Sequence, residues 1–490
     1  MKRDLNRLTN QRFDLLVIGG GITGACIARD AAMRGLSVAL IEKSDFAHAT
    51  SAHNSRLIHG GLRYLRNFEL RLVRESLRER RIWQRIAPAY VHPLPFLVPL
   101  YGGGWKARAT LAAGLTLYDL LAFDRSGPDD PAQRLPRHRW LDAKSALAIE
   151  PALDGRGFVG AFEYYDAQMD SPERLALACI MDADAHGAVV ANYVQAEGLL
   201  FREDRAEGAR VADAFSDAEF EVRAAVTVIA AGPWADLFLR LALGKPVSHR
   251  LVRSKGIHLV VPPMTQTHAL TLATKGGHFF VLPWRGHSLL GTTDAPFTGS
   301  PNHVGVAEED IAAFLAFINA HLPSADLQRG DVKHFYAGLR PLVDDGRRST
   351  YNASRRAELI DHGKDDGVAA LYSAIGGKWT TSRRLAEQVV DKIDAKLGKS
   401  FGRCRTATSG LPNVPAADQS DVLRAVRAEM ALTMEDLVMR RTGVGLLGKP
   451  GAHVLEGMSR TMGAELGWSE ERREQEIAAM EHNFHTRESA

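Results

Sequence analysis

The chain has 490 residues, more than a single hydrophobic core usually serves, so two or three domains are expected. Hydrophobic residues at 45%, charged residues at 24% and a net charge of +3 describe an ordinary globular protein and argue against a dedicated nucleic-acid binder. Three cysteines far apart, Cys26, Cys179 and Cys404, suggest neither a disulfide framework nor a zinc site and suit a reducing compartment.

The first element is FDLLVIGGGITGACIARDAAMRGLSVALIE over residues 13–42. An apolar run at 15–18 reads as a buried strand, and Gly19-x-Gly21-x-x-Gly24 follows at once. Ala28 and Ala32 recur at helical spacing, Gly35 ends the helix, and a second apolar run at 38–41 closes on Glu42. This is a strand–turn–helix–strand unit for a dinucleotide. Gly19 allows the tight turn, Gly21 lets backbone N–H groups approach a pyrophosphate, and Gly24 lets the helix pack on the strand. The helix N-terminus favours phosphate, and Glu42 can bond ribose hydroxyls. Met1-Lys-Arg resembles a signal n-region, but Asp14 interrupts the apolar stretch and the dinucleotide unit accounts for it, so no signal peptide is expected.

Residues 69–87 read as a helix with six arginines, interleaved with Glu75 and Glu79, and an apolar stripe of Leu70, Val73 and Leu77. It suits a solvated face with internal ion pairs or a contact with anionic lipid headgroups. Pro- and Gly-rich loops interrupt 88–136. The apolar stretch 111–123 contains Asp119 and falls short of the roughly 18 residues a membrane span needs. A helix is expected over 171–185, with Asp170 as N-cap and Pro172 at its first position. Strands are expected around 189–196, 209–215 and 219–230, the last ending in Ala231-Gly232-Pro233 as a buried strand meeting a ligand often does. Residues 256–296 are strand-like, 307–321 and 381–397 are helical, and the tail from 411 is helical behind a Gly- and Pro-containing linker. Gly443-x-Gly445-x-x-Gly448-Lys449 imitates a phosphate loop. It follows a helix-like segment, and Pro450 replaces the metal-binding hydroxyl, so it reads as a helix-terminating turn. One credible dinucleotide site points to a tightly held flavin.

Five glycine-rich polar clusters remain: SRLIHGGLRYL from Ser55, KGIH from Lys255, GTTD from Gly291, GLRPL from Gly338 and GGKWTT from Gly376. With the fingerprint, FEYYDAQMD from Phe162, AAGPWAD from Ala230 and YAGLRPL from Tyr336, they run in order over most of 12–397. The chain thereby resembles the FAD-dependent, aerobic respiratory glycerol-3-phosphate dehydrogenases, within the D-amino-acid-oxidase-like flavoproteins. The resemblance implies an α/β (α+β) fold with a discontinuous Rossmann-like FAD-binding domain (1–92, 156–236, 331–397). An inserted antiparallel-sheet substrate domain (93–155, 237–330) and a short C-terminal helical cap (405–490) complete it. The family's cap is longer, and the part here from Val426 resembles its later half.

The implied FAD site comprises Gly19, Gly21, Ile22, Thr23, Gly24, Glu42, Lys43, Ser51, Ser55 and Gly232, with Gly377, Lys378, Trp379 and Thr380. Arg63, Tyr64, Thr293, Arg340 and Lys378 would bind glycerol 3-phosphate, since a phosphate dianion needs several cations. Arg340 and Lys378 would also serve catalysis, and His59 or His258 would handle the proton. No metal is implied. Electrons would pass to a membrane quinone from a protein peripheral on the cytoplasmic face of the inner membrane, with a homodimer as one expected assembly. Another polyol phosphate as substrate, or O₂ as acceptor, is the alternative. An amine oxidase of the same superfamily would need a carboxylate clamp and no phosphate cations.

Overall fold

Strand Arg12–Ile18 lies in the middle of a sheet covered on both sides, which is why Leu15, Leu16 and Val17 are all buried. It pairs in parallel with Val38–Ile41 on one side and Glu219–Ile229 on the other. Val189–Ala191 and Leu371–Gly376 extend the parallel core, and Ala357–Asp361 adds an antiparallel edge. The computed structural model describes all residues except 126–129, 154, 275–276, 345–356, 399–400, 414–420 and 488–490.

Helices Ile22–Met33, Pro172–Ala185 and Ser382–Leu397 share one apolar core on this sheet. Small residues bring the first of them close. A Cβ at Gly24 would sit 1.9 Å from the Gly19 carbonyl oxygen, and Gly19 itself has φ +115° with the backbone of Ala230 against it. The expected strand at 189–196 is two strands, Val189–Ala191 and Val194–Arg202, because Tyr193 turns through φ +55° and donates its N–H to Ser44.

The second sheet is mostly antiparallel. Its order is Ala295–Phe297, Leu251–Val261, His287–Gly291, Gly277–Trp284, Ala269–Thr274, Val91–Tyr101, Phe158–Met169 and Leu57–Ile58. His334–Val343 pairs along the whole of Leu251–Val261. Strands Phe158–Met169 and His334–Val343, expected with the FAD-binding segments 156–236 and 331–397, thus hydrogen-bond into this second sheet. The chain changes sheets at places that hydrophobic patterning does not mark.

Residues 88–136, expected to be interrupted by Pro- and Gly-rich loops, hold strand Val91–Tyr101 and helix Gly104–Leu121. Pro93, Pro95 and Pro99 stand at alternate positions, so the missing N–H groups fall on one edge and the ladder to Phe158–Met169 survives on the other. Helix Leu70–Ile86 pairs Arg74 and Arg80 with carboxylates of neighbouring elements. Arg80 pairs with buried Asp166, Arg74 makes two bonds of 2.9 and 2.8 Å to Asp124, and Glu79 receives Arg383. Arg71, Arg78 and Arg85 face solvent. No helix among the described residues is long and apolar enough to cross a membrane.

The C-terminal module contains helices Val422–Glu429, Ala452–Leu466 and Glu470–Glu481 and packs its apolar side chains against the second sheet. Gly443, at φ +67°, ends the helical segment before it, as a terminating turn requires.

Candidate active site

Both sheets line one cavity of about 1370 Å³. Its first end is the dinucleotide turn, where Gly19, Gly21, Ile22 and Thr23 meet Glu42, Lys43 and Ser51. Ser51 Oγ accepts the Ile22 N–H at 2.9 Å, and Glu42 accepts the N–H groups of Gly20 at 2.7 Å and Ser44 at 3.0 Å. A carboxylate has about four lone-pair sites, so Glu42 retains acceptor capacity for hydroxyls. Lys43 lies 3.9 Å over the Trp234 ring, and Asn302 accepts from both side chains, from Lys43 at 3.0 Å and Trp234 at 2.7 Å. A helix N-terminus, a close-approach glycine turn and an acid at the end of the second strand fit the two phosphates and ribose of FAD.

At the other end, Ser55 Oγ and His258 Nε2 are 2.9 Å apart. The His258 ring stacks on Tyr336, centroids 5.0 Å apart, and its buried Nδ1 has no hydrogen-bond partner. The ladder explains the ring's position. Gly291 is opposite His258, and a Cβ there would come within 2.1 Å of the imidazole. Burial, then the nearby Arg340 charge, keeps His258 neutral far below the usual histidine range. His59 is kept neutral in the same way by burial and Lys378, and its backbone is fastened to the Thr380 hydroxyl at 3.2 Å.

The cations converge here. Arg340 donates to Thr292 Oγ1 at 2.6 Å, to the Thr293 carbonyl at 3.2 Å and to Ser254 Oγ at 3.1 Å. Arg63 donates to the Tyr64 hydroxyl at 3.1 Å, and Lys378 lies 4.3 Å over the same ring while donating to Ser76 Oγ at 2.6 Å. Burial, followed by repulsion from Arg63, pushes Lys378 down to about 7. Trp379 donates to the Ser51 carbonyl at 3.2 Å and so joins the two ends of the cavity.

Ser55, Arg63, Tyr64, His59, Gly232, His258, Arg340, Gly377, Lys378, Trp379 and Thr380 all line the cavity, as do the turn residues named above. Gly24 and Thr293 do not. Gly24 is the packing contact under the helix, and Thr293 Oγ1 accepts the Ile257 N–H at 3.0 Å within the sheet. Its neighbour Thr292 faces the cavity instead, a one-residue difference that a strand end leaves unmarked in sequence. The sequence reading also missed His53, Asp166 and His278. His53 stacks on Tyr336, Asp166 accepts the Gly60 N–H at 3.0 Å, and His278 packs beside Phe280. For His278 a signal existed: it alternates with Phe280 on one face of a strand.

Residues 14–392 match the family model for FAD dependent oxidoreductases, and residues 380–473 match the C-terminal domain of alpha-glycerophosphate oxidase. A glycerol-3-phosphate dehydrogenase of Synechocystis is 35% identical, with 97% of both chains aligned. An alpha-glycerophosphate oxidase of Streptococcus pyogenes is 34% identical, over 81% of this chain and 64% of its own. The structure of the glycerol-3-phosphate dehydrogenase from Bacillus halodurans complexed with FAD superposes with a TM-score of 0.76 at 26% identity, covering 98% of this chain and 97% of that one. The chain belongs to the FAD-dependent oxidoreductase family, in its glycerol-3-phosphate dehydrogenase group, and FAD is its cofactor.

Proposed function

We propose that the protein oxidises sn-glycerol 3-phosphate to dihydroxyacetone phosphate and passes the electrons to a membrane quinone. The observation that carries the reading is the convergence of Arg63, Arg340 and Lys378 on the cavity that the dinucleotide turn opens. Two guanidinium groups and an ammonium suit a phosphate dianion better than a single carboxylate. Of the carboxylates nearby, Asp166 is matched by Arg80, and Asp294 lies 3.6 Å from Arg340 and shares its charge. Names of the similar proteins point to the same substrate.

In this reading the cations hold the phosphate and leave the C2 hydroxyl facing the imidazoles. His258 or His59, neutral at working pH, takes the hydroxyl proton as the carbonyl forms. Arg340 offers positive charge to the developing alkoxide. Bound FAD would supply the two-electron acceptor for the hydride lost from C2, while the hydroxyl proton goes to the histidine base.

A lipid-soluble acceptor is supported by the surface beside the cavity. Phe68, Trp105 and Phe123 are 85%, 75% and 74% exposed, and Leu111 and Leu117 of helix Gly104–Leu121 line the cavity. This apolar face also supports peripheral membrane contact, which the proposal assigns to the cytoplasmic face of the inner membrane. O₂ is the second reading, favoured by the similarity to the streptococcal oxidase.

Anaerobic mixing with glycerol 3-phosphate is expected to bleach the flavin band, while glycerol and sarcosine leave it unchanged. Absence of bleaching by glycerol 3-phosphate sinks the reading. Hydrogen peroxide formed in step with product under air selects O₂, and anaerobic reduction of a soluble quinone analogue supports the quinone.

A further inference from the structure

A buried carboxylate three residues past Glu42 ties the C-terminal module to the cofactor loop. Asp45 is fully buried. One of its oxygens accepts from Arg440 Nε at 2.7 Å and Arg441 Nη1 at 2.8 Å. The other accepts from Arg441 Nη2 at 2.8 Å and Asn192 at 3.1 Å. Burial favours the protonated acid, but the two guanidinium groups outweigh it and hold Asp45 ionised, well below the usual carboxylate range.

The local backbone is shaped for this contact. Successive residues of an α-helix point about 100° apart, which spreads neighbouring arginines. Asp436–Arg441 is instead a π-helical turn, closed by the Thr442 N–H on the Leu437 carbonyl at 2.9 Å. Such turns recur at functional places in helices. Arg440 also binds Glu435 and Asp436, each at 2.7 Å, and Arg441 donates to the Glu429 carbonyl at 3.1 and 2.9 Å. Every guanidinium nitrogen of the pair is thereby occupied, so the arrangement has little freedom.

On its other side Asp45 belongs to the segment that wraps the dinucleotide turn. Glu42 accepts from Gly20, Ala47 N–H donates to the Gly20 carbonyl at 3.1 Å, and Ser51 Oγ accepts from Ile22. Displacing Asp45 would move the acid and the hydroxyl that frame the phosphate and ribose positions.

We propose that Arg440 and Arg441 are positioning residues for FAD: through Asp45 they hold the 42–51 segment against the 19–24 turn, and the C-terminal module thereby sets how firmly the cofactor is retained. This rests on the FAD assignment and is independent of the substrate.

The test is FAD release from holoenzyme diluted into FAD-free buffer, followed by the rise in flavin fluorescence. Asp45→Asn, Arg441→Lys and the milder Arg440→Lys are compared with Glu476→Leu. Glu476 accepts the Met434 N–H at 2.9 Å inside the same module and does not touch Asp45. Each variant is measured at the same interval below its own melting temperature, so lost stability alone moves all four alike. The clamp variants are expected to release FAD about tenfold faster or more, because Asp45→Asn leaves two buried guanidinium groups uncompensated and a lysine, though charged, cannot reproduce the guanidinium fork on Asp45. Glu476→Leu is expected to match wild type. Wild-type release by the clamp variants, or equally fast release by Glu476→Leu, overturns the proposal.

Discussion

Lys378 shows how one side chain sets a working range. Buried beside Arg63 and the Tyr64 ring, it loses its proton at about 7 in the ligand-free protein. A phosphate dianion restores the proton, because the charged form is the one that binds it. Below pH 7 the cation is already present. Above it, binding must take up a proton, so KM for glycerol 3-phosphate is expected to rise up to about tenfold per pH unit. Lys378→Arg, charged throughout, is expected to flatten that rise, and titration calorimetry in buffers of different ionisation heat should show proton uptake in wild type alone. A KM that is level from pH 6 to 9 in wild type contradicts this. The two imidazoles separate by a similar comparison. Loss of a general base costs about 10²–10⁴ in rate. His258, with its unpartnered Nδ1 and its place against Ser55, is expected to show that loss in kcat as His258→Asn. His59→Asn is expected to act chiefly on KM, through the Lys378 and Thr380 side of the site. The reverse pattern moves the base to His59.

At the scale of the element, the second sheet aims its site residues by register. Tyr336, His258, Gly291, Phe280 and Thr271 follow one another across five strands, and a glycine stands where a side chain would strike the imidazole. Gly291→Ala is expected to cost about 1–3 kcal/mol in stability, the range for overpacking, with a disproportionate loss of kcat because His258 must turn. Thermal melting and steady-state kinetics on the same sample check this, and unchanged kcat refutes it. The register was not legible in sequence. The strand–turn–helix unit at 13–42 was, because its glycines, small residues and terminal acid are adjacent and each has a local steric reason. Helices 171–185, 307–321 and 381–397 were legible from periodicity and flanking prolines, and they appear as Pro172–Ala185, Glu308–His321 and Ser382–Leu397; the N-cap of the first is Ser171, not the expected Asp170, whose carboxylate accepts from Arg285 at 2.8 Å instead. Val91–Tyr101 was hidden because three prolines read as a loop until the partner strand shows which edge they spare. Thr292 was hidden because only the turn of the strand end decides which threonine faces the cavity. Asp45 and its arginines lie about 400 positions apart, and no local pattern joins them.

The whole molecule packs its site between two sheets, and the packing around it buries several histidines that stay neutral. His53 is pushed down to about 3, and His278 and His334 to about 4, each by burial first and then by neighbouring arginines. In the unfolded chain the same groups titrate near 6.5. Above 6.5 neither state binds these protons and the histidines contribute nothing to the pH dependence. Between 6.5 and about 4 the unfolded chain binds them and the folded protein does not, so stability falls as pH drops. Each group contributes about 1.4 kcal/mol per pH unit once well inside that window, or about 4 kcal/mol per unit for the three together. The carboxylates held low by arginines, Asp45 among them, add their loss only at lower pH. The expectation is a urea midpoint that falls gently from pH 8 to 7, where the unfolded chain holds a Lys378 proton that the folded protein has partly lost, and steeply from pH 6 to 5. His334→Gln, away from the phosphate cations and against Phe335 and Tyr336, is expected to remove one group's share of the slope, about 1.4 kcal/mol per pH unit, while leaving the midpoint at pH 8 little changed. A bound phosphate analogue should blunt the fall further, since it offsets the Arg63 and Arg340 charges that add to burial in depressing His278. A midpoint that does not move between pH 7 and 5 means the histidines accept protons without unfolding, and the burial assigned to those imidazoles is then wrong.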